Sequence, residues 1–143
     1  GDDYVRNMER LARKWETAKT LVPAPVIRKA AQPTTMGVLY FGTTMYAVEE
    51  ALDMLGAEGI ALDAIRVTAF PFSTAISEFI EKHDKTFIIE QNRDAQMRTL
   101  LINELEINPA KLIRVLNYDG LPITPVFITE RIQSQLAEVT SIH

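Results

Sequence analysis

The apolar positions change period along the chain. Tyr4, Met8, Leu11, Trp15, Ala18 and Val22 recur at alternating spacings of four and three, which lines them along one stripe of a helix over residues 4–20. The repeat is too short for a free coiled coil, so the stripe is expected to pack on its own domain or on a neighbour. Pro23 and Pro25 end this helix, because proline has no N–H and disfavours helical geometry in the residue before it. From there to Thr35 (PAPVIRKAAQPTT) the chain reads as an extended linker.

Beyond residue 35 short apolar runs alternate with amphipathic stretches. Met36–Phe41 predicts a strand, and Tyr46–Glu58 predicts a helix with Ala47, Val48, Ala51, Leu52 and Leu55 inward and Gly59 closing it. Ile60–Val67 predicts the next strand. A helix then follows Pro71-Phe72-Ser73 to about Lys82, with Ile76, Phe79 and Ile80 inward. Lys85–Glu90, Asp94–Leu105 and Leu112–Asn117 read as strand, helix and strand. Thr124 before Pro125 is a helix start, an N-cap hydroxyl ahead of a residue that needs no N–H, and the last helix runs to about Val139. The strands are almost continuously apolar, as strands covered by helices on both faces are. The pattern specifies a three-layer α/β/α sandwich with right-handed crossovers and a mostly parallel sheet of about five strands, four of which can be placed on the chain. Residues 1–35 form a connector helix and linker, and residues 36–143 the α/β domain.

Composition removes many chemistries. The 143 residues contain no cysteine, which excludes a thiolate metal site, iron–sulfur ligation by this chain and a cysteine nucleophile. Two histidines, one of them the last residue, argue against a histidine metal site. No apolar run is long enough to span a bilayer, and no secretory signal is visible. Charge is divided unevenly. Residues 1–32 set Arg6, Arg10, Arg13, Lys14, Lys19, Arg28 and Lys29 against Asp2, Asp3, Glu9 and Glu16, a balance of +3, so the rest of a chain of net charge −4 carries −7. A basic head on an acidic body points away from nucleic acid and towards contacts between segments or subunits. The first residue is Gly rather than Met, from which we expect a fragment of a longer polypeptide.

In an open α/β sheet, ligands and partners meet the loops at the carboxyl ends of the strands. Here those are Gly42-Thr43-Thr44, Ala69-Phe70-Pro71, Gln91-Asn92-Arg93-Asp94 and Tyr118-Asp119-Gly120-Leu121-Pro122. The first could offer N–H groups and hydroxyls to an anion, but no phosphate-loop fingerprint is present, and a plain N-cap accounts for Thr43 or Thr44. In the third, Asp94 is expected to cap the next helix and Arg98 to pair with it at four-residue spacing. Gln91, Asn92 and Arg93 have no such local task and read as a docking surface, with loop structure and direct ligand contact as the alternatives. His83, beside Asp84 and Lys85, reads as a helix C-terminal cap. Glu49, Glu50, Glu104 and Glu106 fall on solvent-facing positions, and no serine sits in a nucleophile elbow. The residues alone describe an α/β domain with a polar sheet rim and no catalytic constellation.

Particular strings then carry a resemblance. VLYFGTTMYAVEEALDMLGAEGIALDAIRVTAFPF resembles the C-terminal domain of transketolase-like enzymes. FIIEQNRDAQMRTLL and VLNYDGLPIT are similar to the C-terminal part of the alpha subunit of 2-oxoacid:ferredoxin oxidoreductases, particularly the 2-oxoglutarate type, and the head with VPAPVI resembles that subunit's connector. The likeness covers residues 4–136. It implies a complex that oxidatively decarboxylates a 2-oxoacid with coenzyme A and passes electrons to ferredoxin, in a cytoplasmic setting. Thiamine diphosphate, Mg and iron–sulfur clusters are then expected on other domains and on the beta subunit, with none bound by this chain. Tyr118-Asp119-Gly120 lacks the asparagine of a thiamine diphosphate GDG…N motif. Leu121-Pro122-Ile123-Thr124-Pro125 is similar to the family's pyrimidine-domain motif Tyr-Pro-Ile-Thr-Pro, but too little chain follows it, and we read it as a helix cap. The implied role is a noncatalytic module, inactive alone, that packs against the preceding domains and the beta subunit and walls the active-site cleft. Its interface or ligand-edge candidates are Gly42, Thr43, Thr44, Gln91, Asn92, Arg93, Asp119 and Gly120, with no catalytic or metal residue. The alternatives are the C-terminal domain of a transketolase or pyruvate dehydrogenase E1-beta-like enzyme, or a free-standing nucleotide or acyl-CoA binder.

Overall fold

Five strands form one sheet in the computed structural model, which describes residues 1–141. In chain order they are β1 (Val26–Arg28), β2 (Met36–Phe41), β3 (Asp63–Val67), β4 (Lys85–Glu90) and β5 (Leu112–Leu116). They lie side by side as β1-β3-β2-β4-β5, parallel except for β1, which runs antiparallel to β3. The helices are α1 (Asp2–Leu21), α2 (Met45–Ala57), α3 (Thr74–Lys82), α4 (Gln96–Leu105) and α5 (Pro125–Ser141).

Alternation along each strand sorts the core into two halves. Val38, Tyr40, Ala64, Phe87, Ile89 and Val115 face α2 and α5, where Val48, Ala51, Leu52, Leu55, Ile128 and Ile132 meet them. Leu39, Ile65, Val67, Ile88 and Leu112 face α3 and α4, against Ile76, Phe79, Ile80 and Leu101. The expected three-layer sandwich is the observed one. Thr124 caps α5 as its sequence position predicts, its Oγ1 accepting from the Phe127 N–H at 3.1 Å.

The fifth strand comes from the segment read as linker. Val26, Ile27 and Arg28 pair with Arg66, Ile65 and Ala64, so the sheet extends into the head. The strand at Ile60–Val67 is shorter than its apolar run, because β1 and β2 offer partners only from Asp63 onward. Before β1 the Thr68 hydroxyl lies within hydrogen-bonding distance of the Pro23 and Ala24 carbonyls, at 3.3 and 3.2 Å. The α1 stripe meets little of the domain. None of its residues is buried, and its one ring contact sets Trp15 edge-on to Phe70 with centroids 5.3 Å apart.

Three carboxylates fasten the frame. Asp63, at the start of β3, accepts from the Ala30 N–H at 2.9 Å and from Lys29 Nζ at 2.9 Å, and lies 3.0 Å from His83 Nε2. Burial pushes its carboxyl up, but the Ala30 N–H, His83 and Lys29 outweigh that and hold it at about 2. Its bond to Lys29 in turn raises that ammonium above the ordinary lysine range. His83 does reach a last-turn carbonyl of α3, donating from Nδ1 to Phe79 O at 2.6 Å, but it does so buried between α3 and Asp63 rather than at the surface. Asp53 pairs with Arg28 at 2.5 Å and ties β1 to α2.

Glu90, wholly buried at the end of β4, is the third. It accepts from the Met97 N–H (2.7 Å), the Arg98 N–H (3.1 Å) and Asn92 Nδ2 (2.9 Å), so it supplies the negative charge at the start of α4. The cap expected of Asp94 is therefore made from further upstream. Ala95 adopts a left-handed conformation (φ 51°) that turns the first N–H groups of α4 back towards β4. Asp94 pairs instead with Arg93 at 2.9 Å, and Arg98 donates to the Leu112 and Pro109 carbonyls.

Candidate functional site

The order of strands fixes where a crevice can open. From β2 the chain passes to β3 on one side and later to β4 on the other, so the loops after β2 and β4 diverge above the junction of these two strands. A crevice of about 700 Å³ lies at this carboxyl end, lined by Thr43, Gln91, Asn117, Tyr118, Gly120, Leu121, Pro122 and Ile123.

Each loop is shaped by its own chemistry. Gly42 takes φ 63°, a left-handed conformation that lets the chain leave β2 sharply. The next residue, Thr43, is exposed towards the crevice, while Thr44 is buried and donates to Phe41 O at 2.5 Å. After β5, Asp119 Oδ1 accepts from the Leu121 N–H at 2.9 Å, and Gly120 at φ 84° completes the turn. Asn117 joins the walls: its N–H donates to Glu90 O at 2.9 Å and its amide to Leu121 O at 3.1 Å. Gln91 reaches across from β4, its Oε1 accepting from the Ile123 N–H at 3.4 Å.

Of the sequence-derived candidates, Thr43, Gln91 and Gly120 line the crevice, and Gly42 and Asp119 shape its loops. Thr44 is turned into the fold. Asn92 has the local task that the sequence hid: Oδ1 accepts from the Asp94 and Gln96 N–H groups (3.1 and 3.2 Å), and Nδ2 donates to Glu90. Arg93 projects from the domain with its side chain 76% exposed. Asn117 and Ile123 were not among the candidates. A polar residue directly after the apolar run of β5 is the signal that could have found Asn117.

No charged side chain lines the crevice. It presents a hydroxyl, two amides, a phenol and backbone groups, a set that hydrogen-bonds and fits shape but carries no nucleophile–base pair. Among the described residues no group of three or more His, Asp or Glu could hold a metal ion, and the crevice lining offers no carboxylate to a metal–diphosphate cofactor such as thiamine diphosphate with Mg. Among the same residues no helix is long and apolar enough to cross a membrane. A smaller cavity of about 300 Å³ lies away from this rim, between the head and α2, where Arg28, Lys29 and Gln32 face Leu52, Asp53 and Gly56. Its two cations are already held by Asp53 and Asp63.

The fold is of the transketolase C-terminal type. A solved 2-oxoglutarate:ferredoxin oxidoreductase from Magnetococcus marinus, with 2-oxoglutarate, coenzyme A and succinyl-CoA bound, matches 90% of this chain with a TM-score of 0.76 at 24% identity. A split-gene transketolase, an inactive beta4 tetramer, matches 80% at TM-score 0.64 and 18% identity. The alpha chain of a probable 2-oxoacid ferredoxin oxidoreductase from Thermoplasma acidophilum matches 79% at TM-score 0.53 and 18% identity. The chain spans 23% of the first of these and 41% of the second, while its match to the third takes in 97% of that chain. No family model matches the sequence, and no curated protein does. These similarities establish the fold and its neighbours among oxidoreductases and transketolase.

Proposed function

We propose that this chain is a noncatalytic C-terminal domain of the alpha subunit of a 2-oxoacid:ferredoxin oxidoreductase, of the 2-oxoglutarate type. Its role is to hold that subunit against the preceding domains and the beta subunit and to form one wall of the active-site cleft. Thiamine diphosphate, Mg and iron–sulfur clusters belong to the rest of the complex. The observation that carries the reading is the extent of the structural match. Residues 36–143 are about three quarters of the chain, so a match over 90% of it reaches into the head as well as the domain. Two features of this chain support the role. The carboxyl-end crevice offers neutral contacts without a catalytic pair, and the α1 stripe presents Tyr4, Met8, Leu11 and Trp15 with almost nothing of this chain against them.

The test has two arms. Calorimetric titration of the chain with thiamine diphosphate, coenzyme A and ADP is expected to give no heat, and the chain alone to turn over no oxoacid. The chain within its alpha subunit is expected to co-purify with a beta subunit and to support 2-oxoglutarate- and coenzyme A-dependent reduction of ferredoxin. Micromolar binding of any of the three ligands by the chain alone would favour a free-standing binder, and turnover by it would overturn the proposal.

A further inference from the structure

The outer edge of β5 carries a charge opposite to that of the body it belongs to. The Asn117 N–H donates to Glu90 O, so the backbone groups of residues 113, 115 and 117 point towards β4, and those of Leu112, Arg114 and Leu116 point to the open edge. Two of these three outward carbonyls are already occupied: Arg98 Nε donates to Leu112 O at 2.9 Å and Gln135 Nε2 to Arg114 O at 2.8 Å. An added strand would have to displace both of these side chains, which favours binding through side chains instead.

Beside that edge runs a groove of about 390 Å³, lined by Ile113, Arg114, Leu116, Tyr118, Arg131 and Gln135. Arg114 and Arg131 are exposed. Among the described residues neither has a carboxylate within the 4.0 Å of an ion pair. The Arg131 guanidinium lies over the Phe127 ring, 5.6 Å from its centroid, which occupies its face and leaves its edge donors for a carboxylate. Of the eight lysines and arginines after residue 35, Arg98, Lys111, Arg114 and Arg131 gather on or beside β5. Arg98 feels the crowding: burial first, and then the charge of Arg114, lower its guanidinium below the ordinary range.

We propose that this groove docks an acidic segment of a partner polypeptide, whose carboxylates pair with Arg114 and Arg131 while Tyr118 and Leu116 supply apolar contact. Charge selects this occupant. A short acidic segment confines its charge to the two arginines, whereas a nucleic acid carries its phosphates on past the groove over a body of net charge −7, and a second copy placed edge to edge sets Arg114 against Arg114. Tyr118 lines both this groove and the carboxyl-end crevice, so a partner seated here also reaches the rim of that site. The proposal goes beyond the assignment to an oxidoreductase and does not depend on it.

The test is fluorescence anisotropy of the full chain with a labelled octapeptide of alternating glutamate and leucine, at low salt. Saturable binding is expected, weakened at least tenfold by the pair Arg114→Gln and Arg131→Gln and left unchanged by Lys82→Gln, an exposed cation elsewhere. Thermal melts of each variant confirm that the fold is kept. If folding fails in the pair, the single Arg131→Gln variant, expected to weaken binding several-fold, takes its place. Absence of saturable binding, equal weakening by the Lys82 variant, or tighter binding of a single-stranded oligonucleotide of matched charge would overturn the proposal.

Discussion

Replacing Asp63 by Asn tests the account of how the head is held. Asn keeps the shape and retains an oxygen for the Ala30 N–H, but removes the charge that faces Lys29 and His83. Lys29 is more than half exposed, so its share is no more than about 1 kcal/mol. The His83 contact is different, with side chains 1% and 7% exposed, and losing a buried hydrogen bond to a charged group costs about 2 kcal/mol. The expected loss is about 3 kcal/mol, or roughly 10 °C in a calorimetric melt for a domain of this size. The pH dependence gives a second reading. The folded carboxyl stands at about 2, below its ordinary value of 3.8, so its stabilisation is complete above that ordinary value and is lost as pH falls towards 2. Between pH 4 and pH 2 the wild-type chain should lose about 2 kcal/mol more than the Asp63→Asn variant. Denaturant midpoints that fall in parallel, or a loss at neutral pH below about 1 kcal/mol, would refute the reasoning.

Three further outcomes follow from other contacts. Glu90→Gln leaves the first N–H groups of α4 facing a weaker acceptor and should cost about 2 kcal/mol, with faster amide exchange at Met97 and Arg98 as the local check. Gly37→Ala places a methyl 2.8 Å from Phe79 Cε1 in the layer where Phe79 packs on His83, and urea unfolding should register a loss of about 1–3 kcal/mol. Trp15→Ala removes one edge-on ring contact and should change the chain's own melting free energy by less than about 1 kcal/mol, while sharply reducing co-purification with partner domains or subunits.

What was legible in the sequence depended on how local the cause was. β2 and β4 declare themselves as apolar runs, α2 and α3 as amphipathic stretches, and the Thr124 cap as a two-residue signal. β1 did not, because VIR lies between prolines, is exposed at all three positions and becomes a strand only by finding β3 beside it. The start of α4 is hidden from the sequence for a related reason. Its cap is made by Glu90, seven residues ahead of Met97, and by Asn92, both outside the window in which a capping residue is sought. Asp63 and His83 are twenty residues apart and meet only when α3 packs on the sheet. The crevice was legible as three loops at strand ends, but which side chains enter it depended on where each loop turned, as Thr43 facing out beside a buried Thr44 illustrates.

The short passage from α1 into β1 makes the first helix a fixed bracket rather than a tether. Between Leu21 and Val26 there is room for only four residues, two of them prolines, and Thr68 lies against the carbonyls in the middle. Whatever mounts on α1 is therefore presented to the strand-end rim at one set angle, and load applied to that helix passes through β1 directly into the sheet.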